Sequence, residues 1–222
     1  MEYPTELNGV DIAGVYVHEP GCFLSNVAIC IVSFMLFFYV GKPKNNFESN
    51  WKKFGLFIGL AAVGGLFTHG FPTYLGESLF FYAWAVKNSF VPIANYFASA
   101  DVFPKKRWIK IFIITKAVGV IVLIFLTGKF LPVVVDLGIT YFGVIYFSNK
   151  LIPINSTYRY IRNSFLIGLL SGPLYIFKYD LHELWFTHKD KAHVFIVISL
   201  LLIFLGLRKK QPGSMEVETV KH

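Results

Sequence analysis

"FTHKDKAHVFIVISLLLIF", residues 186–204, opens on two histidines and an aspartate among lysines and closes as uninterrupted hydrocarbon. The second half has the composition of a membrane-spanning helix, and the first half that of its polar lip. The rest of the chain bears this reading out. Of its 222 residues, 55% are hydrophobic and only 15% charged, with 24 phenylalanines and a mean hydropathy of +0.57. A soluble domain of this size needs far more charge to cover its surface. The first twenty residues are acidic and polar, not basic then apolar, so no signal peptide is evident. Cys22 and Cys30 are not spaced as a CxxC or zinc-ribbon pair and offer no disulfide framework. The net charge of +8 does not point to nucleic acid, because the basic residues sit in short clusters between apolar runs.

A spanning helix needs about 20 mostly apolar residues. Seven stretches approach this, at residues 20–40, 54–68, 78–97, 108–127, 131–147, 163–177 and 191–207. The expected fold is therefore an all-α seven-transmembrane helix bundle over residues 1–210, followed by a disordered tail at 211–222. Lys42, Lys44, Lys52 and Lys53 lie in the first connection. Lys105, Lys106 and Arg107 lie in the third, Lys150, Arg159 and Arg162 in the fifth, and Arg208, Lys209 and Lys210 after the last span. The alternate connections are poor in net positive charge. By the positive-inside rule the N-terminus is outside and the C-terminus cytoplasmic.

That topology gathers His18, His69, His182, His188 and His193 on the outer side and leaves only His222 in the tail. Glu19, Glu77 and Asp136 accompany them. Ionisable groups at membrane depth are costly and mark sites or internal pairs. Asp136 is a candidate proton carrier. It is also a candidate partner for Lys87 or Lys116, with Lys87 the better match in depth. Glu77 is either a second proton carrier or a first-turn acid favoured by the helix dipole. His18 and His182 read as interfacial or loop residues. Three imidazoles with an open fourth position make a catalytic zinc site, and His69, His188 and His193 supply them from two spans. On a continuous helix His188 and His193 would point about 140° apart. An Asp190 N-cap would free His188 to turn inward. Alternatively, one of the two binds metal and the other supports it. The chain has no HExxH, GxSxG or phosphate-binding glycine loop, so zincin, serine-hydrolase and nucleotide chemistry lack support.

The stretches "VHEPGCFLSN", "THGF" and "FTHKDKAHVFIVISLLLIF" resemble a bacterial family of seven-helix membrane proteins. That family is similar to the superfamily of alkaline ceramidases and progestin/adiponectin-type receptors (CREST-like). The resemblance implies seven spans and a zinc held by His69, His188 and His193. It also implies hydrolysis of a lipid amide and a bacterial inner-membrane location. The chain departs from the ceramidase pattern in three places. Gly65 stands where a serine precedes the early histidine, Leu79-Phe80-Phe81 stand where an aspartate follows it, and the last pair is HxxxxH instead of HxxxH. Ser25 and Asn26, or Asp136, are the candidates to replace the missing polar partners.

The leading expectation is an integral-membrane zinc amidohydrolase acting on a lipid, with Asp136, Glu77 and Ser25 as catalytic candidates. The alternative is a non-catalytic receptor-like sensor of metal or pH, or a binder of a small ligand, using the same histidines. Transport draws on Lys87, Lys116 and Asp136 in apolar spans but lacks an evident inverted repeat.

Overall fold

The computed structural model describes residues 9–177 and 180–209. The proposed tail at 211–222, with His222, lies outside the described residues. The chain begins as a hairpin of β1 (Gly9–Ile12) and β2 (Val15–His18), paired antiparallel with Gly9 opposite His18. Ala13 and Gly14 both have positive φ, as the tight two-residue hairpin turn requires. Eight helices follow among the described residues: α1 (Pro20–Val40), α2 (Asn46–Gly70), α3 (Pro72–Val102), α4 (Arg107–Thr127), α5 (Leu131–Leu151), α6 (Thr157–Leu169), α7 (Ser171–Phe177) and α8 (His188–Arg208). Five of them, α1, α2, α4, α5 and α8, are long and apolar enough to cross a membrane.

The expected sixth span is two helices, not one. Pro173 has no N–H to give the Leu169 carbonyl, and its ring crowds that position. The chain therefore caps α6 at Leu170 and restarts at Ser171, whose hydroxyl donates to the Gly168 carbonyl at 2.6 Å. Helix α3 is longer than expected and is not among the five apolar spans, because its inner face is polar: Asn88, Ser89, Asn95, Ser99 and Asp101 are all buried.

Helices α1 to α6 alternate in direction, and α8 runs antiparallel to α6. One end of the bundle collects the C-termini of α1, α3, α5 and α8 and the N-termini of α2, α4 and α6, and with them the basic clusters. There Trp51, fully buried, donates from Nε1 to Asp101 Oδ2 at 3.0 Å, and Thr157 on α6 donates to the Gly206 carbonyl on α8. The main core of Leu36, Trp51, Val144, Ile161, Leu200 and Ile203 lies toward this end. The opposite end holds the start of α1, the end of α2 and the start of α8, beneath the hairpin. Gly21 is where these parts cross. Its N–H donates to the Leu184 carbonyl, and a Cβ on it would lie 2.6 Å from Asp190 Oδ2 and 2.7 Å from the Trp185 carbonyl.

Candidate metal centre

The start of α8 decides the site. Thr187, not Asp190, is its N-cap, and Asp190 is the third helical residue of a capping box. Asp190 Oδ2 accepts from the Thr187 N–H at 2.7 Å and from its hydroxyl at 2.8 Å. His188 is thereby the first helical residue, so it and His193 point away from each other as the helical spacing dictates. His188 does not turn inward. Its Nδ1 lies 2.9 Å from Asp180 Oδ1, and its backbone N–H donates to the same oxygen. Those two bonds and the charge of His188 outweigh desolvation and hold the Asp180 carboxyl below its ordinary pKa.

His193, one turn further along, faces α1. Ser25 donates its hydroxyl proton to the Cys22 carbonyl at 3.0 Å. It must then accept from His193 Nδ1, 2.7 Å away. A neutral imidazole with its proton on Nδ1 keeps its lone pair on Nε2. In that arrangement Ser25 orients the His193 ring and Nε2 is the nitrogen left to bind a metal. Cys22 Sγ, an Asp190 carboxylate oxygen and a His193 nitrogen lie within 4.8 Å of one another. Cys22 and Asp190 are both buried. Asp190 Oδ1 is buried without an N–H or O–H partner, and the Cys22 thiol is the remaining donor against this carboxylate.

A second group overlaps the first at Cys22: Glu19, Cys22 and His69 also lie within 4.8 Å of one another. The His69 ring centroid is 6.3 Å from that of His193. Both of its nitrogens are engaged. Nδ1 donates to Glu19 Oε2 at 2.6 Å, and Nε2 accepts from Lys87 Nζ at 3.1 Å. Glu19 Oε1 accepts from Lys189. Burial alone would raise the Glu19 carboxyl, but the hydrogen bond from His69 together with the charge and hydrogen bond of Lys189 holds it far below the usual carboxylate range. Glu19 is in the left-handed region at φ 38°, a conformation that costs a non-glycine residue about 1–3 kcal/mol. The bend sets this carboxylate between α2 and α8. His18 beside it is buried, and desolvation pushes its pKa down.

The structure thus brings together three of the residues expected from the sequence, His69, His193 and Ser25, and adds Glu19, Cys22, Lys87 and Asp190. Asn26 lies nearby, its amide donating to the Cys22 carbonyl at 2.8 Å, and its oxygen occupies the space that a side chain at position 65 would need. Glu77 is exposed, ten residues and about 15 Å along α3 from Lys87. Asp136 is fully buried in a separate cluster. It accepts from Lys116 and, at 2.5 Å, from Asn95, while Lys116 also donates to Thr140 at 2.6 Å. Asn95 is eight residues, about 12 Å, further along α3 than Lys87. Asp136 therefore pairs with Lys116 and not with Lys87, which His69 engages. His182 is a loop residue whose Nδ1 accepts from the backbone N–H groups of Leu184 and Trp185.

A family of unknown function, DUF6962, has a model that matches residues 22–212. The chain belongs to this family. The matched region begins at Cys22 and includes every candidate ligand except Glu19. No curated protein and no solved structure matches the chain. Buried Cys, His, Asp and Glu clusters among membrane-type helices are compatible with a bound metal, and thiolate, imidazole and carboxylate together form a zinc-type donor set.

Proposed function

We propose that the protein is an integral-membrane, zinc-dependent hydrolase that cleaves a lipid amide at the outer face of a bacterial inner membrane. The observation that carries this reading is the convergence of Cys22, Asp190 and His193, with Asp190 Oδ1 buried and lacking an N–H or O–H partner. These three residues would hold the metal. His69 has both ring nitrogens engaged and His188 is bound to Asp180, so the ligand set differs from the three histidines that the ceramidase resemblance implies. The clustering of Lys and Arg at the opposite end of the bundle supports the outward orientation.

Bound at this site, zinc would polarise an amide carbonyl and bring the pKa of a water molecule to about 7. The surrounding residues have distinct tasks. Ser25 orients His193, its hydroxyl donating to the Cys22 carbonyl and accepting from His193 Nδ1. Hydrolysis adds a hydroxyl to the acyl carbon and a proton to the departing nitrogen. The line Lys87–His69–Glu19 can carry that proton, with His69 neutral between an ammonium and a carboxylate. Glu19 and His69 therefore take the role that sequence reasoning gave to Asp136 and Glu77.

The test is release of fatty acid from fluorescent acyl amides by zinc-loaded protein in detergent. Turnover that a chelator abolishes and zinc restores supports the proposal. Zinc-loaded protein inert toward every acyl amide refutes it. That outcome favours a non-catalytic metal or pH sensor, a reading supported by the chain of bonds that links His69, Glu19 and Lys189 at this end of the bundle.

A further inference from the structure

Among the described residues, no carboxylate touches Lys87 directly. Its ammonium approaches His69 Nε2, a neutral nitrogen, and among the described residues it forms an ion pair with no carboxylate. An ammonium has three donors, and His69 takes one. Lys189, the neighbouring cation, is paired with Glu19, and Lys116 with Asp136. A charged group packed among apolar helices without a counter-charge in contact is expensive and points to a function. The fold also makes room for it: a Cβ at Gly64 on α2 would collide with the Lys87 side chain, so the glycine permits the approach.

The position is reachable. His69 keeps 20% of its side-chain surface and Glu19 22%. Phe67 on α2 and Val86 on α3, in the same turns as His69 and Lys87, are each about half exposed, at 51% and 46%. Lipid therefore comes within a turn of the ammonium.

We propose that Lys87 recognises an oxyanion on the lipid, so that the substrate class is an N-acyl lipid whose amine portion carries a carboxylate or phosphate, not a neutral amide. This rests on the hydrolase reading for the acyl amide but not for the anion. A negative group at Lys87 would answer the two unused donors and place the scissile amide toward Cys22 and His193. A neutral hydroxyl-bearing amine portion would leave the ammonium without a counter-charge.

Binding, measured apart from turnover, tests it. The probes are non-cleavable ketone analogues, with CH2 in place of the amide N–H, of N-oleoylglycine, N-oleoyl-phosphoethanolamine and neutral N-oleoylethanolamine. They are titrated calorimetrically into the full chain in detergent. At least one anionic probe should bind about tenfold or more tightly than the neutral one, and whichever leads identifies the oxyanion. The advantage should disappear in Lys87→Gln and persist in Lys87→Arg, with helical circular dichroism confirming that each variant is folded. Equal binding of the three probes by wild type, or an anionic preference that survives Lys87→Gln, overturns the proposal. Zinc-dependent cleavage of neutral amides with no anionic preference would overturn it while leaving the hydrolase reading intact.

Discussion

Removing the Ser25 hydroxyl tests how the site is wired. Ser25 is not itself one of the candidate ligands. It accepts from His193 Nδ1 at 2.7 Å and donates to the Cys22 carbonyl at 3.0 Å. In Ser25→Ala the Nδ1–H loses its acceptor, and the ring is free to rotate or to move its proton to Nε2, where a proton excludes metal. Outer partners of ligating histidines contribute about 10–100-fold in metal affinity, which is roughly 1.4–2.7 kcal/mol. Ser25→Ala should therefore bind zinc one to two orders of magnitude more weakly than wild type. Competition against a chromogenic chelator at fixed pH reads this directly. Ser25→Thr, which keeps the hydroxyl, should recover most of the loss. Unchanged zinc affinity in Ser25→Ala together with lost hydrolysis would refute the reasoning, because that pattern belongs to a nucleophile.

Three further outcomes follow from the same contacts. Gly21→Ala forces α1 away from the start of α8, since its Cβ would lie 2.6 Å from Asp190 Oδ2 and 2.7 Å from a backbone carbonyl. It should cost about 1–3 kcal/mol, seen as a lower midpoint of unfolding in detergent. Lys116→Met removes the ion-pair partner of the fully buried Asp136, and should destabilise the bundle by about 3–5 kcal/mol. Lys116→Met with Asp136→Leu should recover much of that in a double-mutant cycle. Glu19 has its carboxyl pKa lowered from an ordinary 4.5 in the fold. Its stabilising contribution is thus complete above that value and is lost as pH falls through the lower folded value. Glu19→Gln should lose less stability than wild type when thermal melts are taken from about pH 5 down to about pH 3.

The spans whose apolar runs end in clear breakers were the legible ones. Pro20–Val40 was bounded correctly because Pro20 starts it and Gly41 ends it, and α4 began one residue from its expected start and ended at Thr127 before Gly128. The sixth span misled because its hydropathy runs through Pro173, and a hydropathy window does not register a missing N–H. The hairpin was missed because four-residue strands carry too little alternation to read. His69 and His193 could be brought together from topology alone. Cys22 could not, since a lone cysteine in an apolar helix reads as a small hydrophobe. Asp190 reads as a cap, which it is through Oδ2, and nothing local shows that Oδ1 is left over. Glu19 resembles any acid preceding a helix until its left-handed backbone turns it toward His69. All three depend on the crossing at Gly21, a tertiary event that only "HEPGC" around that glycine hints at.

The central claim is that one zinc is held by Cys22, Asp190 and His193. Metal content by mass spectrometry on detergent-purified protein tests it, comparing wild type with Cys22→Ala, His193→Ala and His188→Ala. The account predicts about one zinc per chain in wild type and in His188→Ala, with loss in the other two. Cobalt substitution should add a thiolate charge-transfer band that depends on Cys22. Wild type that stays metal-free after incubation with zinc, or zinc lost from His188→Ala but kept in Cys22→Ala, would contradict it.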